Sequence, residues 1–496
     1  MHDLRLALRS LRNRPMFTVV AVITLALGIG ATTTLFTIVN AVLLRPLPYP
    51  EAGRIVSVSE MMNGQDGQVA AEPDYFNWAR NSRSLAAIAM YNDASRVITG
   101  RGDAARVTGG EGTASLFSVL GVRPVLGRTF RPDEDVPHGP RVVVLGNDLW
   151  RSRFGGDSAV VGKSVTLDGD PYTVIGVMPA GFAFPKGAQF WTPEQLDPAP
   201  NPRVTGYGPV VARLKPGVTV GAARNELSAL TAAQEPATSL AGMFHQAPAA
   251  AVVMTLRDRA AGSAKPALLL LFGAVGFLLL IACANVANLL LARAASRQRE
   301  FAVRVALGAT RRRLARQLLM ESVLVSVVGG GLGLLIPIWS LAYFVRISPA
   351  SVARMENIHV NLTVLAFSVG VSLLTGVLFG LVPAFTATRS DISHTLKEGG
   401  VRTSGTVAQS RIRRALVVAE LATALVLLTG AGLLARSFAR ATAVDVGFDA
   451  NHLVTASVYL AWPHYQGDTL VNAFFDRMIE QVRVLPNVKS VGYIDA

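Results

Sequence analysis

Apolar residues along this chain gather into five blocks long enough to cross a bilayer, and the segments between them follow other patterns. A hydrocarbon core of ~30 Å needs about 20 apolar residues at ~1.5 Å of helical rise each. The blocks are 16–39 (MFTVVAVITLALGIGATTTLFTIV), 266–292, 318–345, 363–387 and 415–435. The second, PALLLLFGAVGFLLLIACANVANLLLA, contains no charged residue. The third holds Glu321 near one end and Gly329, Gly330, Gly331 and Gly333 in its middle. Water-soluble helices avoid such glycines, whereas membrane helices use them for close packing. The first block follows Arg5, Arg9, Arg12 and Arg14, as the apolar part of a cleaved signal peptide would. It is longer than the ~7–15 residues such a peptide uses, and no convincing A-x-A cleavage site follows, so it reads as an uncleaved anchor.

Between the first two blocks, residues 40–265 alternate short β-like runs with turns. The run 141–146 (RVVVLG) predicts a buried strand. The run 164–168 (SVTLD), a Gly169-Asp170 turn and 171–178 (PYTVIGVM) predict a β-hairpin with Val165, Leu167, Val174 and Val177 on its apolar side. Residues 115–120 and 220–232 predict helices, the second following Val218-Thr219 with apolar residues at helical spacing. The segment is large enough to bury its own core. The fold class is therefore an integral membrane α-helical bundle of five transmembrane helices with a large mixed α/β extracytoplasmic domain.

Composition sharpens this reading through where the charge sits. Of 496 residues, 51% are hydrophobic and only 16% charged, yet the net charge is +14. Segments 1–15, 293–316 and 388–414 carry +3, +7 and +4, which is the entire excess. Residues 40–265 hold 22 basic and 20 acidic side chains, as an ordinary water-exposed domain would. Short Lys/Arg-rich segments stay on the cytoplasmic side. The order that follows is a cytoplasmic N-terminus (1–15), span 16–39, a periplasmic domain (40–265) and a three-helix module (266–387) with an inner loop at 293–317. A cytoplasmic linker (388–414), a fifth span (415–435) and a further outer segment (436–496) complete it. The expected location is the bacterial inner membrane. Nucleic-acid binding is not needed to explain the +14, because the excess lies wholly in loops beside spans. One cysteine, Cys283, cannot form an internal disulfide.

The outer segment offers no catalytic constellation. Gly162-Lys163-Ser164 imitates the end of a phosphate-binding loop, but the first glycine of that motif would fall at Asp157 and a strand follows rather than a helix. Asp133, Glu134 and Asp135 form either a metal cluster or, the reading favoured here, a solvated turn after Pro132. Seven histidines are scattered without metal-ligand spacing. No catalytic residue, metal or cofactor is expected, and no ATP-binding loop occurs.

The segment 293–321 (RAASRQREFAVRVALGATRRRLARQLLME) carries the most information. Phe301, Val303, Val305, Ala306 and Leu307 surround Arg304, which predicts a short amphipathic helix. Gly308 supplies a stop, and Thr310 is placed to cap a second helix from Arg311. A loop that only fixes topology needs neither the interleaved apolar residues nor the glycine break. Glu321 and Glu420 lie within or at the edge of spans, where charge is costly and often functional. Snorkelling or capping beside the nearby arginines is the plainer reading of both.

Three stretches resemble the MacB/FtsX-type ABC transporter permeases. They are TLALGIGATTTLFTIVNAVLLRPLPYP (24–50), FGGDSAVVGKSVTLDGDPYTVIGVMP (154–179) with LGVRPVLGRTF (120–130), and REFAVRVALGATRRRLARQLLMES (299–322). The resemblance points to the permeases in which the whole unit is duplicated along one chain. In that light 388–435 repeats the order of basic residues followed by a span, 445–460 resembles the opening of a second outer domain, and the chain is expected to stop within the second repeat. The resemblance implies a permease subunit that couples ATP hydrolysis by a separate cytoplasmic ABC ATPase to periplasmic movement, for efflux or export. It implies pairing with a second permease unit, either its own second repeat or another copy. It also makes Glu300, Arg304, Gly308, Ala309, Thr310 and Arg311 the coupling candidates. The competing reading is a membrane-anchored sensor or scaffold that acts on an envelope partner without moving a substrate.

Overall fold

The structure, a computed structural model, describes residues 12, 15–100, 102–198, 206–233, 250–262, 264–296, 310–347, 361–389, 407–443, 453–456, 458, 468–486 and 488–493. The chain divides into two compact units, residues 1–45 with 261–450 and residues 46–260 with 451–496.

The first unit is helical. Its elements are α1 (Pro15–Val39, extended by one π turn, Asn40–Leu44), α2 (Ala264–Ser296), α3 (Arg311–Gly333), α4 (Leu335–Ile347), α5 (Leu362–Arg389) and α6 (Val407–Thr442). Among the described residues four stretches are long and apolar enough to cross a membrane: Pro15–Leu44, Ala264–Arg293, Arg312–Ser340 and Arg413–Arg440. The fourth sequence block appears as a shorter apolar stretch, Leu362–Leu378, within α5. The third block comprises α3 and α4, which meet at Leu334; that residue keeps helical backbone (φ −65°, ψ −18°) and its N–H bonds Gly330 O at 3.0 Å, so the two form one continuous span.

The glycine-rich middle of the third block packs closely, as its composition suggested. A Cβ on Gly330 would lie 2.0 Å from Ser372 Oγ, and one on Gly376 would lie 2.3 Å from Ser326 Oγ and 2.8 Å from Val323 Cα. Ser322 Oγ donates to Gly376 O at 2.9 Å across the same α3–α5 seam. Lipid tails are as apolar as leucine, so helices in a bilayer gain little by hiding leucines from them. Close approach and short polar bonds hold them together instead. The α1 face turned toward α2 and α3 buries Ala21, Val22, Leu25, Gly28 and Ile29.

The second unit is built on an 11-stranded sheet. Its strands are β1 (Ile55–Met62), β2 (Gln65–Asp66), β4 (Leu85–Thr99), β5 (Ala105–Gly112), β6 (Leu126–Gly127), β7 (Val142–Leu145), β8 (Ser164–Leu167), β9 (Asp170–Val177), β10 (Phe190–Pro193), β12 (Val210–Leu214) and β13 (Ala251–Thr255). A small pair, β3 (Ala70–Ala71) and β11 (Tyr207–Gly208), stands apart. The main order is β13-β1-β12-β4-β5-β10-β7-β9-β6, and only β5–β10 and β7–β9 run parallel. The 15-residue β4 is the hinge of the design: residues 85–90 pair with β12, and 91–98 pair with β5. Its first half carries a core under Trp78 and Leu227, and its second half one around Phe190 and Leu145. On the opposite face Phe117, Phe182 and Trp191 pack with ring centroids 5.0–6.0 Å apart. Each such side chain removed from water contributes roughly 1.5–3 kcal/mol.

The helix at Val220–Ala232 starts as its sequence indicates, with Thr219 Oγ1 accepting from Ala222 N at 3.2 Å. The strand at Val142–Leu145 is fully buried. The β8–β9 hairpin also forms, with Val165, Leu167, Val174 and Val177 buried. Its turn, however, is Asp168-Gly169, one residue before the expected pair, and Asp170 faces Leu167 in register. Both turn residues have positive φ, 50° and 89°. A tight two-residue hairpin turn of this kind suits Asp followed by Gly.

Candidate functional site

The coupling candidates begin where α3 begins. Thr310 has extended backbone (φ −69°, ψ 143°), and its carbonyl accepts from Arg313 N and Leu314 N at 3.0 and 3.3 Å. It therefore occupies the cap position ahead of Arg311, but its hydroxyl makes no capping bond, contrary to the expected side-chain cap. Thr310, Arg312 and Arg313 are exposed. Glu300, Arg304, Gly308 and Ala309, with the amphipathic helix expected around Arg304, lie outside the described residues.

From Arg311 onward, the helical repeat turns Leu314, Leu318, Glu321, Ser322 and Val325 to one buried face. Glu321 is only 1% exposed, so it does not snorkel. Its Oε2 lies 3.7 Å from Arg293 Nη1, and Gln317 Nε2 donates to its Oε1 at 3.4 Å. Arg293, at the end of α2, is 9% exposed, and its guanidinium sits 4.9 Å above the Phe17 ring of α1. One charge pair thus ties three helices together where α2 ends and α3 starts. The correction has a simple physical cause. Proximity to arginines in sequence does not say which way a helix faces, and here Glu321 faces the bundle. Removing one partner of a buried pair leaves the other charge uncompensated, at a cost of roughly 3–5 kcal/mol. Glu420 is half-buried on α6, and no ion pair reaches it among the described residues.

In the second unit the acidic run after Pro132 is neither a metal cluster nor simply a solvated turn. Asp133 is exposed, but Glu134 is buried and receives Arg128 Nη1 and Nη2 at 2.7 and 2.5 Å. The Arg128 bond holds its carboxyl below the usual range. Asp135 accepts from the backbone N–H of Ala114 and Gln195 at 2.7 and 2.8 Å, while burial raises its pKa. Among the described residues no group of His, Cys, Asp and Glu is arranged to hold a metal. Lys163 of the Gly-Lys-Ser run pairs with Asp157 at 3.0 Å and leads into β8, so the run is a turn.

Two features were not anticipated. In sequence Arg293 reads only as a topological charge. The signal that could have found it is an opposite charge at the facing ends of consecutive spans. The other is a buried carboxyl pair, Glu60 on β1 and Asp74 on the Glu72–Asn81 helix, both 0% exposed. Burial first, and then the Glu60 charge, push Asp74 up to about 8. Glu60 Oε1 accepts from Ala71 N at 2.7 Å.

Comparison with known proteins covers both units. The MacB-like periplasmic core domain matches residues 18–230, and the FtsX-like permease C-terminal domain matches residues 272–392. The macrolide export ATP-binding/permease protein MacB of Azoarcus sp. (strain BH72) is 30% identical over 279 residues, which is 54% of this chain and 39% of that protein. The protein of the same name from Burkholderia cenocepacia (strain HI2424) is 28% identical over 335 residues, 66% of this chain and 45% of that one. The chain thus spans less than half the length of these curated relatives. The crystal structure of the periplasmic region of MacB from Actinobacillus actinomycetemcomitans aligns at 17% identity and a TM-score of 0.32, covering 42% of this chain and 91% of that one. A score at that level adds nothing to the family matches.

Proposed function

We infer that this chain, which belongs to the MacB/FtsX-type ABC transporter permeases, couples ATP hydrolysis by a separate cytoplasmic ATPase to movement of its periplasmic domain. The observation that carries this is the succession of a periplasmic core family and an FtsX-like permease family in one chain. The relatives' printed names join ATP binding to permease and macrolide export. Efflux or export is accordingly the proposed output, with ATP use supplied by a partner.

In this reading the N-terminus and the loop 293–317 face the cytoplasm, 40–265 faces the periplasm, and 266–387 is the three-helix permease module. The segment 388–414 is a cytoplasmic linker before span 415–435. A second permease unit, in the same polypeptide or another copy, completes the pair. Arg304 and Arg311 supply positive charge to an acidic groove on the ATPase, with Glu300, Gly308, Ala309 and Thr310 shaping the docking elbow. The buried Arg293–Glu321 contact supports a route for the motion, because it links the helix entering the loop to the helix leaving it and touches α1 through Phe17. Rigid elements joined by such a pair transmit displacement better than a soft loop would.

The test is to purify the full tagged chain from membranes that also contain its ATPase and to measure co-eluting ATP hydrolysis. Arg304→Glu with Arg311→Glu is expected to remove that activity from the eluate, while Glu321→Gln retains the ATPase but loses transport. Co-elution unchanged by the double charge reversal would contradict the docking role.

A further inference from the structure

The sheet of the second unit carries a pocket of about 670 Å³ that no part of the coupling scheme uses. It forms where β4, β5, β9 and β10, with the residue before β7 and the residue after β10, bring Arg96, Glu111, Asp170, Thr192, Arg141 and Glu194 together. The strand order β4-β5-β10-β7-β9 causes this convergence of residues far apart in sequence, from Arg96 to Glu194. On β10 the alternation places Thr192 on the same face as Phe190, so the apolar core around Phe190 gives way to polar residues along one continuous face.

The wall's charges are not balanced. Arg96 is held by Glu111 and, at 3.2 Å, by Asp168. Arg141 is held by Asp170 at 2.6 Å. Each of these arginines therefore has its carboxylate. Among the described residues Glu194 has no cation: its Oε1 accepts from Asn92 Nδ2 at 2.8 Å, while its Oε2 is buried without a hydrogen-bond partner. The Thr192 hydroxyl beside it is also buried and unpartnered, on a residue only 2% exposed. Buried polar atoms almost always find partners, so three orphans on residues lining one pocket, Glu194 Oε2, Thr192 Oγ1 and the donor Arg96 Nε, mark a place for a ligand that carries both N–H donors and hydroxyl acceptors. The donor Glu194 lacks is a positive N–H group, and Thr192 adds a hydroxyl that can accept or donate. Pockets for greasy drug-sized molecules are lined mainly by apolar side chains. This wall has little apolar surface beyond two prolines and the Tyr172 ring.

We propose that this pocket binds a small, hydrophilic organic ammonium solute, whose N–H groups bond Glu194 Oε2 and Thr192 Oγ1. Burial, followed by the nearby Glu111 charge, raises the Glu194 pKa to about 7, so the carboxylate is ionised at pH 8. The proposal stands apart from ATPase coupling and can fail without it, since equilibrium binding needs no partner.

The experiment measures binding to the full chain in nanodiscs at pH 8, using two amines and their uncharged counterparts: N-methylglucamine against sorbitol, and putrescine against 1,4-butanediol. At least one amine should bind about tenfold or more tightly than its counterpart, and Glu194→Gln should remove that preference. Arg141 is half exposed at the rim, so Arg141→Ala tests the same idea without disturbing the core. It frees Asp170 and should tighten amine binding. The proposal is overturned if neither amine outbinds its counterpart, if the preference survives Glu194→Gln, or if Arg141→Ala weakens amine binding.

Discussion

The two units bury their interiors by opposite means. The sheet unit fills its core with large side chains: Trp78, Trp191, Phe117 and Phe190 are all at most 1% exposed. The helical unit is tightest where side chains are smallest, along the Gly330–Ser372 and Gly376–Ser326 contacts. Water drives the first arrangement, because every aromatic ring removed from it is stabilising. In lipid that drive is missing, and closeness takes its place. Buried charge differs in the same way. In the sheet unit Arg96 sits between two carboxylates. In the helical unit Glu321 and Arg293 depend on one contact at 3.7 Å, supplemented by Gln317 and the Phe17 ring.

The largest expected effects should fall separately on the two units. Trp191→Ala should destabilise the sheet unit by about 3–5 kcal/mol. Glu321→Ala should cost the helical unit roughly 3–5 kcal/mol by stranding Arg293. Hydrogen exchange in the full chain would read both. Loss of protection in β7 and β10 is expected for the first, and in α2 and α3 for the second. A smaller effect, about 1–3 kcal/mol, is expected for Gly376→Val, since its new Cβ meets Val323 Cα, a backbone atom that cannot simply rotate away. A Gly→Val change at exposed Gly53, where a Cβ meets nothing within 4 Å, is the control.

The sheet unit should also respond to pH. Asp74 and Glu194 both have raised pKa values, so the folded unit binds protons that the unfolded chain has released. Stability therefore falls as pH climbs from about 5 to 8. Glu134 and Glu226 are shifted down and act oppositely, but only at or below the ordinary carboxylate range. The melting temperature of β7 and β10 protection should drop between pH 5 and pH 8, and Asp74→Asn should flatten that drop. The smallest effect separates two helix starts. Thr219→Ala removes a real cap bond and should cost about 1 kcal/mol, whereas Thr310→Ala removes none and should cost a few tenths at most.

Much of this architecture was legible along the chain because its causes are local. A run of some 20 apolar residues reads as a spanning helix wherever it occurs, and SVTLDGDPYTVIGV reads as a hairpin from alternation and turn chemistry. The turn position is ambiguous in sequence because both Asp168-Gly169 and Gly169-Asp170 offer suitable residues. Register decided between them, and Asp168 now bonds Val97 N at 2.8 Å. Glu321 was legible as a costly charge, but its partner was not, because the pairing depends on how α2 and α3 face each other. The pocket around Glu194 was invisible for a related reason. Its wall draws on β4, β5, β9 and β10, and non-sequential strand order leaves no periodic trace in sequence.

The account depends most on the loop before α3 and the sheet unit lying on opposite sides of the membrane. Cys283 is the chain's single cysteine and is 1% exposed, so Cys283→Ser gives a silent background. In it, Ser158→Cys and Thr310→Cys each place a thiol at an exposed position. A membrane-impermeant maleimide added to cells with a permeable outer envelope should label Ser158→Cys at once, and Thr310→Cys only after the inner membrane is opened. Equal labelling of both thiols in intact cells would place them on one side and contradict the coupling account.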